Sequence, residues 1–155
     1  MRYTERKPGE DPLFEQAAPV VKGLGLSLVE LSVSRRRGHS SVRLTVYKKD
    51  GAVGVDDCAR VHRAVLPRLE LALPGEDLYV EVTSPGIDRV IRDGAEFVHY
   101  IGRGIRCYRS DLSDWSAGIL ESAGNEGIVL RGKKETMNLS YGIIAKAQLS
   151  YQEEA

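Results

Sequence analysis

A strand that runs into Pro-Gly has to end there, and this chain holds such a stretch near its middle, where residues 80–91 read VEVTSPGIDRVI. Leu78, Val80 and Val82 alternate with Tyr79, Glu81 and Thr83, the period-two pattern of a strand with one face buried and one in solvent. Pro85 biases Ser84 toward extended backbone. Pro followed by Gly also offers the fixed φ and the positive φ that the two central positions of a type II turn require. The stretch specifies geometry and names no reaction, so it predicts a joint.

The pattern differs on the two sides of that joint. Before Ser84 lie two long helical patterns with strands between them; after it come short strand-like runs broken by Gly, Asn, Asp and Ser. A chain of 155 residues accommodates two small domains. The expected division is an N-terminal α/β domain over residues 1–84, a linker over 85–92 and a C-terminal barrel domain over 93–155. Charge is balanced on both sides, with 13 basic against 12 acidic residues up to Ser84 and 9 against 10 after it. Neither half has the positive excess of a free-standing, non-specific nucleic-acid binder. The polar start MRYTERKPGEDP lacks an apolar signal region, and no run of about 18 apolar residues could span a bilayer. A cytoplasmic protein with no membrane partner is expected. Cys58 and Cys107, on opposite sides of the joint, read as reduced thiols.

Asp11-Pro12 is a helix start, and Leu13, Ala17, Val20, Val21 and Leu24 share a face. Pro19 should bend this helix, and Gly23 with Gly25 should end it. Strands follow at Leu26 to Arg35 and Ser41 to Lys49, with Leu28, Val33, Val42, Leu44 and Val46 inward and RRRGHS as a hairpin loop. A second helix is expected with Asp56 as its cap, Asp57 in its first turn and Cys58, Val61, Val65 and Leu69 inward. Pro67 should kink its last turn. Helix, strand, strand, helix, strand describes an α+β domain with helices on one face of a three-stranded sheet. Asp93 and Glu96 have capping-box spacing before a short helical stretch. Five short strands then read as a small barrel: Gly104 to Tyr108, Ser116 to Ser122, Gly127 to Arg131, Thr136 to Leu139 and Ala145 to Leu149. A turn at Tyr141 to Ile143 precedes the last, and residues 152–155 should fray.

No catalytic constellation stands out. His39, His62 and His99 have no carboxylate or thiol at metal-ligand spacing, so no metal and no cofactor is expected. Asp56 and Asp57 point about 100° apart on a helix, which suits capping better than acid-base work. Gly51 to Gly54 is a formal GxxG, but it lies between strand and helix and holds Ala and Val, which reads as a turn. For Arg35, Arg36 and Arg37 two readings stand, a solvated tip or a phosphate contact. Lys133 and Lys134 are a second cationic candidate. Trp115, in an apparent loop, reads either as a partner anchor or as a core flap. At the joint, Asp88 is read as capping the turn and Arg89 as reaching the barrel, with an Arg89 contact to RNA or protein as the other reading.

Three stretches carry a family resemblance: EVTSPGIDRV at the joint, GVDDC at residues 54–58, and EFVHYIGRGI with IIAKAQL in the C-terminal half. The chain resembles the bacterial ribosome maturation factor RimP family, in which the joint reads Ser-Pro-Gly-Leu-Asp-Arg-Pro; here Ile87 and Val90 depart from that pattern. The resemblance implies an SH3-like or Sm-like C-terminal barrel and a non-enzymatic assembly factor. Such a factor binds the immature small (30S) ribosomal subunit near a basic decoding-centre ribosomal protein and rRNA. A monomer is expected, with Ser84, Pro85, Gly86, Asp88 and Arg89 as the inter-domain brace. Arg35, Arg36, Arg37, Lys133, Lys134 and Trp115 are the candidate ribosome or RNA contacts. The competing reading is a free-standing RNA-binding regulator on an Sm-like barrel. A small hydrolase or transferase lacks a converging nucleophile and base.

Overall fold

The computed structural model describes residues 12–49, 52–86 and 89–154. The chain is α+β and divides into two compact units, the N-terminal one ending at Pro85 and the C-terminal one starting at Gly86.

In the N-terminal unit, α1 (Pro12–Gly23), β1 (Ser27–Arg36), β2 (His39–Tyr47), α2 (Val55–Ala72) and β3 (Asp77–Thr83) follow in the expected order. β2 is central, antiparallel to β1 and parallel to β3. A parallel neighbour cannot be reached by a hairpin, so α2 serves as the crossover. Leu28, Leu31 and Val33 of β1, Val42, Leu44 and Val46 of β2, and Leu78, Val80 and Val82 of β3 pack into one apolar cluster with both helices. α1 contributes Leu13, Phe14, Ala17 and Val21; α2 contributes Val61, Val65 and Leu69, one face at helical spacing. Each such side chain contributes about 1.5–3 kcal/mol when fully buried.

α1 ends as a Schellman motif. Gly25 takes a φ of 84°, its N–H donates to Lys22 O at 3.0 Å, and Leu26 N–H reaches Val21 O at 3.3 Å. Both helices run through their prolines without a break. Pro19 and Pro67 lie on exposed faces, as do Glu15 and Arg63, whose carbonyls lose their partners, so water can satisfy them. Neither proline therefore ends its helix. The cap of α2 also shifts: Gly54 is the N-cap, and its N–H donates to Asp57 Oδ2 at 3.0 Å. Asp56 is a first-turn residue instead. The Asp11 cap expected for α1 lies outside the described residues.

The C-terminal unit is one five-stranded antiparallel sheet in the order β7-β6-β5-β4-β8. Its strands are β4 (Gly104–Arg109), β5 (Asp114–Ala123), β6 (Gly127–Arg131), β7 (Thr136–Ser140) and β8 (Ile144–Leu149), close to the expected positions. A 3-10 turn, Tyr141–Ile143, joins β7 to β8, and another, Gly94–Tyr100, precedes β4. Among the described residues no strand pairing joins β7 to β8, so the sheet is not a closed barrel. Ile105, Cys107, Leu120, Ile128, Leu130, Leu139, Ile144 and Ala147 are buried together with Ile91, Phe97 and Tyr100. The tail is anchored where fraying was expected. Glu154 accepts from Arg103 Nε at 3.0 Å and Gly104 N–H at 3.2 Å, and Ser150 N–H donates to Gly104 O at 2.8 Å.

Candidate functional site

The chain leaves β3 at Thr83, and Ser84, Pro85 and Gly86 follow without regular structure. Arg89 N–H donates to Gly86 O at 3.1 Å, a turn-closing bond two residues beyond the one a Pro85-Gly86 type II turn would make. Ile87 and Asp88 lie outside the described residues, and with them the capping role read for Asp88. From Arg89 onward the chain is part of the C-terminal unit. Leu149 N–H donates to Arg89 O and Ile91 N–H to Ala147 O, both at 2.9 Å, and Val90 bridges Gln148. A three-residue extended segment thus runs along the edge of β8.

Arg89 has a buried partner. Its Nε and Nη2 donate to Glu96 Oε2 and Oε1, each at 2.9 Å, a bidentate pair whose side chains are 10% and 1% exposed. The Glu96 carboxylate also accepts from Tyr100 Oη at 2.7 Å and from Arg92 N–H at 3.0 Å. Burial, together with the neighbouring Glu96 charge, pushes the Tyr100 phenol well above its usual range, so it stays a donor. The capping-box expectation holds in one half only: Asp93 Oδ1 accepts from Glu96 N–H at 3.1 Å, while the Glu96 side chain turns to Arg89, Tyr100 and Arg92. Sequence reasoning missed this hub. The i, i+4 spacing of Glu96 and Tyr100 in a helical stretch was the available signal; nothing local links Arg89 to Glu96.

The arginine tip is tighter than a six-residue loop. Arg36 pairs with His39, leaving Arg37-Gly38 as the turn, with Gly38 at a φ of 70°. Strand alternation sends Arg35 and Arg36 to opposite faces of the sheet, so the three exposed arginines do not converge on one point. On the sheet face away from the core, Ser32, Ser34, Ser41, Arg43, Tyr79 and Glu81 line a shallow polar groove. There Arg43 Nε reaches Glu81 Oε2 at 3.1 Å.

Trp115 lies in β5, not in a loop, and is 38% exposed. It pairs across the ladder with Tyr108, their rings edge to face at 5.4 Å, and the Arg106 guanidinium sits 4.4 Å from its ring centroid. Lys146 of β8 stands opposite Tyr108 on its other side. Lys133 and Lys134 are exposed in the turn that Gly132 N–H closes on Glu135 O at 2.9 Å. Tyr108, Arg106 and Lys146 were missed because the grouping exists only once β4, β5 and β8 are in register.

The remaining candidates stay apart. His39 sits between Ser41 Oγ at 3.2 Å and Asp77 Oδ2 at 3.4 Å. No group of three His, Cys, Asp or Glu side chains gathers at metal-binding distance among the described residues. Cys58 and Cys107 lie in different units as free thiols, and burial pushes Cys107 up to about 12. No helix among the described residues is long and apolar enough to cross a membrane.

Fold and surfaces together define the class: an α+β chain of two compact units, each presenting one polar sheet face. Residues 16–88 match the RimP N-terminal domain family, from within α1 into the joint motif. The chain is 29% identical to the ribosome maturation factor RimP of Borrelia hermsii (strain HS1 / DAH) over 131 residues, 84% of this chain and 89% of that one. To the ribosome maturation factor RimP of Borrelia recurrentis (strain A1) it is 28% identical over 138 residues, 89% of this chain and 94% of the other. Residues 16–88 thus carry a RimP N-terminal domain match, and most of the chain is similar to named ribosome maturation factors RimP.

Proposed function

We propose that this protein is a ribosome maturation factor that binds the immature 30S subunit, in the cytoplasm and as a monomer, without catalysing a reaction. The observation that carries the reading is the RimP match, which continues past the N-terminal domain: the similarity to named ribosome maturation factors covers 84% and 89% of the chain. Near-neutral charge suits a factor that must leave a strongly anionic particle again. On this reading a basic decoding-centre ribosomal protein and nearby rRNA are the points of contact, with Arg35, Arg36, Arg37, Lys133, Lys134 and Trp115 as contacting side chains. Residues 93–155 form an SH3-like domain in the same proposal; the strand order with a 3-10 turn before β8 supports it.

Ser84, Pro85, Gly86, Asp88 and Arg89 act as the brace between residues 1–84 and 93–155. The support is the end of that segment, where the Arg89 side chain is locked onto buried Glu96 and its backbone onto β8. Gradient co-sedimentation with precursor and mature small subunits tests the function. Preferential association with precursors is expected, weakened when Arg35, Arg36 and Arg37 are replaced together by Ala. Failure of the wild-type chain to co-sediment, with normal rRNA processing after depletion, refutes the assembly role.

A further inference from the structure

The outer face of the C-terminal sheet carries a grouping that the fold does not need. Ile105 and Cys107 point into the core, so Arg106 and Tyr108, between and after them, face outward beside Trp115 and Lys146. Arg106 and Lys146 are exposed and make no ion pair among the described residues. Two acids at the β4–β5 connection are engaged elsewhere: Asp111 takes Arg109 Nη2 at 2.7 Å, and Asp114 accepts from the Trp115 N–H at 2.7 Å. The turn bearing Lys133 and Lys134 adjoins the same rows, since a Cβ at Gly132 would lie 3.6 Å from Ala117 O, and Ala117 pairs with Arg106. Aromatic rings with unpaired cations on both sides complement a ligand with flat π-faces and a regularly charged anionic backbone.

We propose that this face is a stacking platform for single-stranded RNA. An unpaired base stacks on the Trp115–Arg106 pair or on Tyr108, and Arg106 and Lys146 take the flanking phosphates. Duplex RNA hides its base faces, so it offers only the phosphates. An acidic peptide would satisfy the cations but leave the rings without a partner. The inference deepens the assembly reading above and rests on it for the source of the RNA.

Trp115 is the only tryptophan of the chain, so its fluorescence reports on the platform directly. Titration of the full chain with an oligouridine of about 12 nucleotides should quench it saturably. Trp115→Ala should weaken binding about 5- to 150-fold, read by anisotropy of the labelled oligonucleotide, and Trp115→Phe should restore most of it. Arg106→Gln and Lys146→Gln, both surface changes, should each lower the log–log salt slope by about 0.7. Absence of quenching, equal affinity for a duplex of the same length, or tighter binding of a polyglutamate overturns the platform. If the wild type co-sediments with precursors yet ignores single strands, the platform falls and the assembly reading stands. If it binds single strands through Trp115 but does not co-sediment, the assembly reading falls alone.

Discussion

Arg89→Met should destabilise the C-terminal unit severely, although the residue lies in a segment that reads as a linker. Glu96 is 1% exposed and its carboxylate takes four donors, two of them from Arg89. Removing the guanidinium leaves a buried charge held by one phenol and one backbone N–H. Breaking a buried pair from one side costs about 3–5 kcal/mol, whereas a surface pair is worth about 0–1. A small domain has a total stability of about 5 kcal/mol, so the single change should consume most of it. Urea unfolding followed by Trp115 fluorescence isolates this unit, because no other tryptophan exists. With a slope of about 1 kcal/mol per M, the midpoint should fall by about 3 M or the transition should vanish. Glu96→Gln should cost less, since its amide oxygen still accepts from Tyr100 Oη or from the Arg92 N–H and no buried anion is left. The double variant should then cost about 2 kcal/mol less than the sum of the singles. A loss below about 1 kcal/mol for Arg89→Met, or strict additivity, would refute the claim that the pair is buried and mutually dependent.

Three further outcomes are expected. Burial holds the His99 imidazole below its ordinary pKa. The unfolded chain therefore binds a proton first as pH falls through about 6.5, so C-terminal stability should decline from pH 7 toward 5, and His99→Gln should flatten that slope in urea titrations at each pH. In Gly127→Ala a Cβ would run into the Leu139 carbonyl of the neighbouring strand. Thermal unfolding should show a loss of about 1–3 kcal/mol, and an unchanged midpoint would mean the β6–β7 pairing is looser than described. With its thiol pushed up to about 12 and no exposure, Cys107 should resist a disulfide reagent at pH 8 until urea unfolds the unit, while half-buried Cys58 reacts first. Rapid native labelling of Cys107, located by peptide mapping, would contradict its burial.

The elements of the chain were legible in its local patterns, because period-two and period-3.6 alternation, Pro-Gly breaks and capping residues are local physics. Val61, Val65 and Leu69 needed only their own spacing to declare a helix face, and Val80 with Val82 needed only theirs to declare a strand. What the pattern could not say is which strand lies beside which. The parallel pairing of β2 with β3 and the placement of β8 against β4 are long-range facts, and the Tyr108, Trp115, Arg106 and Lys146 group depends on that register. The same limit explains Trp115. Asp111, Ser113 and Asp114 look like loop chemistry, and Asp111 and Ser113 do lie in the turn, but β5 starts at Asp114. The prolines show a different limit: whether one ends a helix depends on whether the freed carbonyl can reach water, which sequence spacing alone leaves open. At the joint, the Pro-Gly pair lies where one compact unit gives way to the next, while the burial of Glu96, and so the role of Arg89, follows from packing no window of residues contains.

Strand order also sets when each unit can be completed during synthesis. The N-terminal sheet adds β3 last and at its edge, so its final pairing, to β2, is available once Thr83 has emerged. The C-terminal sheet is laid out the other way, with its last strand, β8, flanked by its first, β4, and by the Arg89–Ile91 segment made earlier still. That segment has no strand to bond to until residues 144–149 have been made. One unit can therefore fold while the second is still being made, whereas the other waits until residue 149 has emerged.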